Sequence, residues 1–394
     1  MPGATAPSPS QPTSTTKPAT AASFQIKSLG FGGSGQSTIS RDNGNGTYDE
    51  TSQWLDGNLN GKIDGAKNKA GTIDGATEHD YPLSYVRSMP NTPDNMQVTV
   101  TLAGALTPGE QIEGLTNYNG INFSPVTIAA GNVNNGVTTV TLTASAPLPS
   151  TIDSNDLGIT WEYSLNNGAS FTGGENTSNH LYVTGAAASA AYETELWLVC
   201  NAAKGLAVDP TNGFATAQVA EAVWARFAHP IPGMQRVDGT IMRYWGSVVN
   251  SPVYTDADNN VAGLMKYADG KCNAWADFLV AAWAVAGVQS HVWGITPSPS
   301  AYTPPAGYTL AGFAIKYWLP AQGNAAPNWA FTDHAVVEID GVGTVFDPSY
   351  GAVFDNSQAW MDGSVDKFEF NNGTLNWTAP HQAGKADCIF AQQS

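Results

Sequence analysis

The sequence predicts a multidomain chain with two folded regions in series, an antiparallel β-sandwich followed by an α+β core. Three observations carry that expectation. Between residues 95 and 185, short runs alternate apolar and polar residues with period two, and Gly, Asn and Pro clusters separate them. After Gly185 helical periods come first and strand-like runs follow, the order typical of α+β folds. The 394 residues suffice for two or three domains, and a hydrophobic content of 42% supports packed cores.

Residues 1–22 are mainly Pro, Ser, Thr and Ala, with almost nothing to bury, and read as a flexible or extended tether. No basic and apolar leader pattern is visible there. Order is expected from about Phe24. Residues 23–94 form a segment rich in Asn, Gly and Asp, with two related units, RDNGNGTYD (41–49) and DGNLNGKID (56–64). In the second, Asp56, Asn58, Asn60 and Asp64 stand at loop positions one, three, five and nine, with Gly61 at six. Calcium needs several hard oxygen ligands on a tightly turned backbone, which this spacing supplies. In the first unit the oxygens come from Asp42, Asn43, Asn45 and Asp49. The pair resembles the DxNxNG loops of bacterial extracellular calcium-binding proteins, EF-hand and dockerin types included. The resemblance implies structural Ca2+ held by these eight residues. Two departures stand out: Arg41 occupies a leading Asp position, and Lys67 occupies the twelfth position of the second loop. The plainer reading is a series of polar Asn-Gly turns without metal.

Residues 95–185 read as a β domain. Runs at 96–102 (MQVTVTL), 138–142 (TTVTL), 159–163 (ITWEY) and 181–183 (LYV) predict strands, with Trp161 in the core. Short strands separated by turns suggest a sandwich of the immunoglobulin-like kind. No catalytic constellation lies here, so a spacer or binding module is expected.

Residues 186–394 form the last region. Helices are expected over 186–204, 215–227 and 274–286, and strands over 309–318, 329–339 and 344–347. Cys272 follows Gly270-Lys271 and opens the third helix. A thiol there sits at the positive end of the helix dipole, which favours thiolate. The unpaired N–H groups of the first turn suit an oxyanion. A cysteine nucleophile needs a base and a group that orients the base. His334 lies on the strand HAVVEI, and Asp347 closes the next strand in VFDPSYG. An antiparallel neighbour brings the two together. Asp333 should point to the opposite strand face from His334, which favours Asp347 as the partner.

A cysteine at a helix start after Gly-x, a histidine in HAVVEI and an Asp-Pro in VFDPSYG, in that order, resemble the transglutaminase-like superfamily. The wider arrangement is similar to papain-like cysteine peptidases. The resemblance covers roughly residues 190–394. It implies Cys272 as nucleophile, His334 as base and acid, and Asp347 as orienter, with no cofactor needed for the chemistry. It departs at Val336, where relatives often carry an aromatic residue that shields the site; Trp329, Trp293 and Tyr350 are candidate substitutes. No side chain is assigned as oxyanion donor.

The remaining candidates read as structural. Cys200 belongs to a helix face, and Cys388 has no partner motif. His79, His180, His229, His291 and His381 lack catalytic spacing, and no Cys/His pair has the spacing of a zinc site.

Charge narrows the function further. Charged residues make up 12%, and the net charge is −17, which opposes nucleic acid and anionic membrane surfaces as partners. No run approaches the ~20 apolar residues of a membrane-spanning helix. The implied activity is cysteine acyl transfer on amide or peptide carbonyls through a thioester. Bacterial relatives in the superfamily are often peptidases or amidases, which favours hydrolysis over crosslinking. The substrate is then a protein or peptide. The alternative is a non-catalytic scaffold or adhesion module that binds a cell-surface or polysaccharide partner through the β domain. Low charge, abundant Asn, Thr and Gly, and the calcium-like loops suit an extracellular or surface protein, with a cytoplasmic origin still open.

Overall fold

A computed structural model describes residues 25–42, 44, 46–48, 54–56, 59, 81–88, 95–103, 107–187, 190–207, 213–298, 302–316, 320–325 and 330–393. Among these the chain is mostly β-strand, arranged in several sheets with five α-helices.

Two five-stranded sheets make up the N-terminal half. The first runs in the order Trp54–Leu55, Gln25–Gly32, Gln97–Ala103, Val137–Thr143, Val133–Asn134, all antiparallel. The second runs Leu83–Val86, Thr172–Thr184, Asp153–Ser164, Gln111–Thr116, Phe123–Thr127, antiparallel except for its first, parallel pair. The period-two pattern explains the packing. Val98, Val100 and Leu102 alternate inward and pair in register with Leu142, Val140 and Thr138. They share one core with Ile112, Phe123, Ile159, Trp161 and Leu181 of the other sheet. Trp161 is fully buried, and its indole N–H donates to Thr177 Oγ1 at 2.9 Å.

The boundary expected near residue 95 is not a boundary in hydrogen bonding. Strands at 25–32, 54–55 and 83–86 belong to the same two sheets as those after residue 95. The strands of the 95–185 region also run longer than their alternating runs suggest. Asp153–Ser164 has 12 residues and Thr172–Thr184 has 13.

The C-terminal half carries α1 (Glu193–Ala202), α2 (Gly213–Phe227), α3 (Val261–Tyr267), α4 (Cys272–Ala286) and α5 (Ser357–Ser364). The helix expected over 186–204 starts only at Glu193. Ala191–Tyr192 instead form a parallel bridge with Ile39–Ser40, and Glu195 reaches back to the Tyr192 N–H at 2.8 Å. Tertiary pairing overrides the helix propensity of the alanine run. The run expected as one strand over 329–339 is two strands, Ala330–Phe331 in one sheet and His334–Ile339 in another.

The apolar α4 lies against a five-stranded antiparallel sheet ordered Ala352–Phe354, Val345–Asp347, His334–Ile339, Ser290–Pro297, Cys388–Gln392. Trp275, Phe278, Leu279, Ala282 and Trp283 of α4 are all fully buried, which fixes the helix on the sheet. Gly287 ends α4 at φ +83°, and the N–H of Val288 returns to the carbonyl of Trp283 at 2.8 Å. A four-stranded sheet (Ala330–Phe331, Thr309–Ile315, Val365–Asn371, Asn376–Pro380) completes this half. No helix among the described residues is long and apolar enough to cross a membrane.

Candidate active site

Cys272 is the first residue of α4, and Lys271, its N-cap residue, makes no side-chain cap bond. Its N–H groups therefore face the site without a competing acceptor from that residue. The segment before it is fixed by a short parallel bridge between Arg243–Tyr244 and Asp269–Gly270. Asp269 is buried, and its carboxylate accepts three backbone N–H groups: Gly246 (2.7 Å), Val248 (2.8 Å) and Val249 (3.1 Å). A Cβ on Gly246 would lie 2.7 Å from Asp269 Oδ2, so glycine is required for this approach. The loop so held presents Trp245, whose φ of +53° is strained for a residue with a side chain. Asn324 clamps the strained position by donating to the carbonyls of Tyr244 (3.0 Å) and Trp245 (3.1 Å).

His334 opens its strand in full burial, and Asp347 ends the neighbouring strand with 1% exposure. The pairing of Val337 with Phe346 sets these strands in register. His334 Nε2 and Asp347 Oδ2 are 2.9 Å apart. His334 Nδ1 is buried and has no hydrogen-bond partner among the described residues. Burial alone would lower the proton affinity of the ring. The Asp347 charge and hydrogen bond, with the Cys272 thiol next to it, outweigh burial and push the pKa up to about 10. The structure thus brings His334 and Asp347 into direct contact, with Cys272 acting on the same ring.

Trp360, on α5, carries no functional motif in the sequence. It is fully buried, its ring stacks on His334 at 5.7 Å and 18°, and its indole N–H donates to Asp347 Oδ2 at 3.2 Å. It covers the imidazole where Val336 carries no aromatic ring. Of the expected substitutes, Trp293 is engaged elsewhere, donating to Glu338 Oε2 at 2.8 Å. Tyr350 packs 5.9 Å from the His334 ring, and Trp329 lies outside the described residues. The only sequence signal for Trp360 is its apolar place in a short helix, which says core and nothing more.

Cys272 lines a cleft of about 550 Å³ with Trp245, Asn259, Asn273 and Phe331 among its walls. A second, apolar hollow of about 460 Å³ lies between α2 and the turn around Asp340, away from this chemistry. All three cysteines are free. Burial raises the Cys200 thiol far above its ordinary range, and burial with Asp387 nearby pushes Cys388 up to about 12. Neither is a nucleophile at neutral pH.

Of the other described histidines, His229 is exposed, and three are held in hydrogen bonds. His291 meets Asp340 at 2.7 Å, and His381 sits between Asp362 (3.0 Å) and Asp387 (3.3 Å). His180 lies between Asp156 (2.7 Å) and Ser154 (3.0 Å). Ser154 has its own N–H taken by Asp153 at 2.9 Å, so that row leaves no donor from Ser154 for an oxyanion.

Of the eight proposed calcium ligands, Asn43, Asn45, Asp49, Asn58, Asn60 and Asp64 lie outside the described residues. Asp42 is committed to a protein partner: its carboxylate accepts the Thr194 N–H (3.2 Å) and Oγ1 (2.7 Å), closing the start of α1. Asp56 is fully buried. Among the described residues no group of three His, Cys, Asp or Glu side chains stands ready to hold a metal. The calcium expectation thus falls mainly on residues outside those described. No family model matches the chain, and no curated protein matches it significantly.

Proposed function

We propose that the chain is a cysteine acyl-transfer enzyme, hydrolytic in its default reaction, with a transglutaminase-like C-terminal region behind an immunoglobulin-like binding or spacing module. The observation that carries this reading is the state of His334. The ring is fully buried, fixed through Nε2 by Asp347, and left with a free Nδ1 beside a thiol at an uncapped helix start.

An imidazolium at His334 stabilises a Cys272 thiolate. The sulfur attacks an amide carbonyl carbon, and the carbonyl oxygen takes up the electron pair facing the N–H groups of the first turn of α4. His334 gives its proton to the departing amine, the C–N bond breaks and a thioester remains. Neutral His334 then takes a proton from water as its oxygen attacks the thioester, releasing acid and thiol. An amine in place of water gives transamidation by the same steps. Asp347 keeps the ring oriented and stabilises its charged form.

Acyl-enzyme trapping tests the proposal. Native protein is treated with activated acyl esters, and the Cys272 peptide is weighed. One acyl group on Cys272 is expected, with none in Cys272→Ser and little in His334→Ala or His334→Gln, provided circular dichroism shows these variants folded. Acylation spread evenly over other nucleophiles, or unaffected by His334, refutes it.

A further inference from the structure

The walls of the Cys272 cleft carry a definite charge pattern. On the nucleophile's side stands Asp256, fully exposed, with Lys271 Nζ 3.4 Å away. An exposed pair of that length is weak and open to exchange. On the histidine's side stands Asp333, whose carboxylate accepts only the Thr332 hydroxyl (2.8 Å) and has no cation beside it among the described residues. Two carboxylates against one ammonium leave the cleft negative, with the same sign as the chain's net charge of −17.

The same cleft is lined by the rings of Trp245 and Phe331, packed edge to face at 5.9 Å. The Lys271 ammonium already rests 5.7 Å from the Trp245 ring centre, so a cation is accommodated on this wall. The buried Nδ1 of His334, without a partner and next to Cys272, marks where the reacting group must arrive. Carboxylates flanking aromatic faces recognise ammonium and guanidinium groups. The acyl donor enters before any thioester exists, so it is the donor that meets this charge first.

We infer that the Cys272 cleft selects cationic acyl donors, peptides with a basic side chain next to the reacting carbonyl, held by Asp333, Asp256, Trp245 and Phe331. The inference rests on the proposed role of Cys272. Its test separates the two. The native full chain is treated with methanethiosulfonates bearing a trimethylammonioethyl, a sulfonatoethyl or a methyl group. In each case the Cys272 sulfur displaces methanesulfinate and forms a disulfide, read by peptide mass spectrometry. After normalisation to the same reagents on a small free thiol, the cationic reagent should lead the anionic one by about tenfold at low salt. The lead should shrink in about 0.5 M salt. It should also collapse in Asp256→Asn/Asp333→Asn while persisting in Glu113→Gln, an acid of the other half.

A ratio near one, with fast labelling by the neutral reagent, overturns this inference and leaves the acyl-transfer reading standing. Slow neutral labelling, no better than at Cys200 and Cys388, sinks the acyl-transfer reading itself. A second arm compares activated esters of acetyl-lysine and acetyl-norleucine without added amine. Faster acylation of Cys272 by the lysine ester is expected. Equal acylation, with release sped by an added diamine, would place the cation on the acceptor and overturn the inference.

Discussion

The His334 imidazole is held by Asp347 at Nε2, by the stacked Trp360 ring, and by the rings of Phe331 and Tyr350 at 5.4 and 5.9 Å between ring centres. Its folded pKa of about 10 lies above the ordinary value near 6.5. The sign follows directly. The imidazolium contributes stability fully present below about pH 6.5 and lost as pH rises through about 10. The melting temperature of the native chain should therefore fall between about pH 7 and 10 more steeply than that of Asp347→Asn; parallel curves contradict the assignment. Trp360→Phe keeps a stacked ring but loses the donor to Asp347, and Trp360→Ala also opens a core cavity. Chemical unfolding should show a loss of about 3–5 kcal/mol for the alanine variant and clearly less for phenylalanine. At this scale the grouping of Cys272, His334 and Asp347 was legible because it depends on residue type, chain order and one strand pairing. Trp360 and Asp269 were not. Their roles come from contacts made only once α5 and the loop after Tyr244 fold onto the site.

At the scale of elements, the start of α1 concentrates buried carboxyls. Glu195 bonds the Tyr192 N–H with one oxygen, and burial, with Asp42 adding to it, pushes its pKa up to about 8. The folded state then holds a proton that the unfolded state loses near pH 4.3, so stability falls as pH rises from there to about 8. Glu195→Gln should flatten that slope in thermal melts, and an unchanged slope would show that Glu195 is not its source. Gly287→Ala should cost about 1 kcal/mol in chemical unfolding, because α4 ends there at positive φ. Alternation made the central strands readable, and Gly287 made the end of α4 readable. The start of α1 was misplaced because alanine-rich residues favour helix locally, while Ala191–Tyr192 gain a bridge to a strand some 150 residues earlier.

Across the whole molecule, the N-terminal half is one interleaved pair of sheets. Residues 95–185 alone lack Gln25–Gly32, which pairs along the full length of Gln97–Ala103, and Leu83–Val86, which pairs with Thr172–Thr184. A fragment of residues 95–185 should show no cooperative thermal transition, whereas residues 25–185 should retain one. Independent folding of the shorter piece would contradict the interleaving. The two halves also meet closely. Tyr182, on the strand Thr172–Thr184, is buried in the C-terminal core, and the N–H of Gly185 bonds the carbonyl of Val285 in α4 at 3.0 Å. The sequence could not reveal this because composition changes at residue 185 while hydrogen bonding does not stop there.

In the proposed reaction Cys272 is an activated nucleophile. Competitive alkylation of the native chain at about pH 6, read at all three cysteines, tests it most directly, since an ordinary thiol is almost wholly protonated there. Cys272 should label faster than Cys200 and Cys388 by on the order of a hundredfold, and His334→Ala should remove most of that lead. Equal, slow labelling of all three cysteines in the folded native chain would rule out an activated thiol at Cys272.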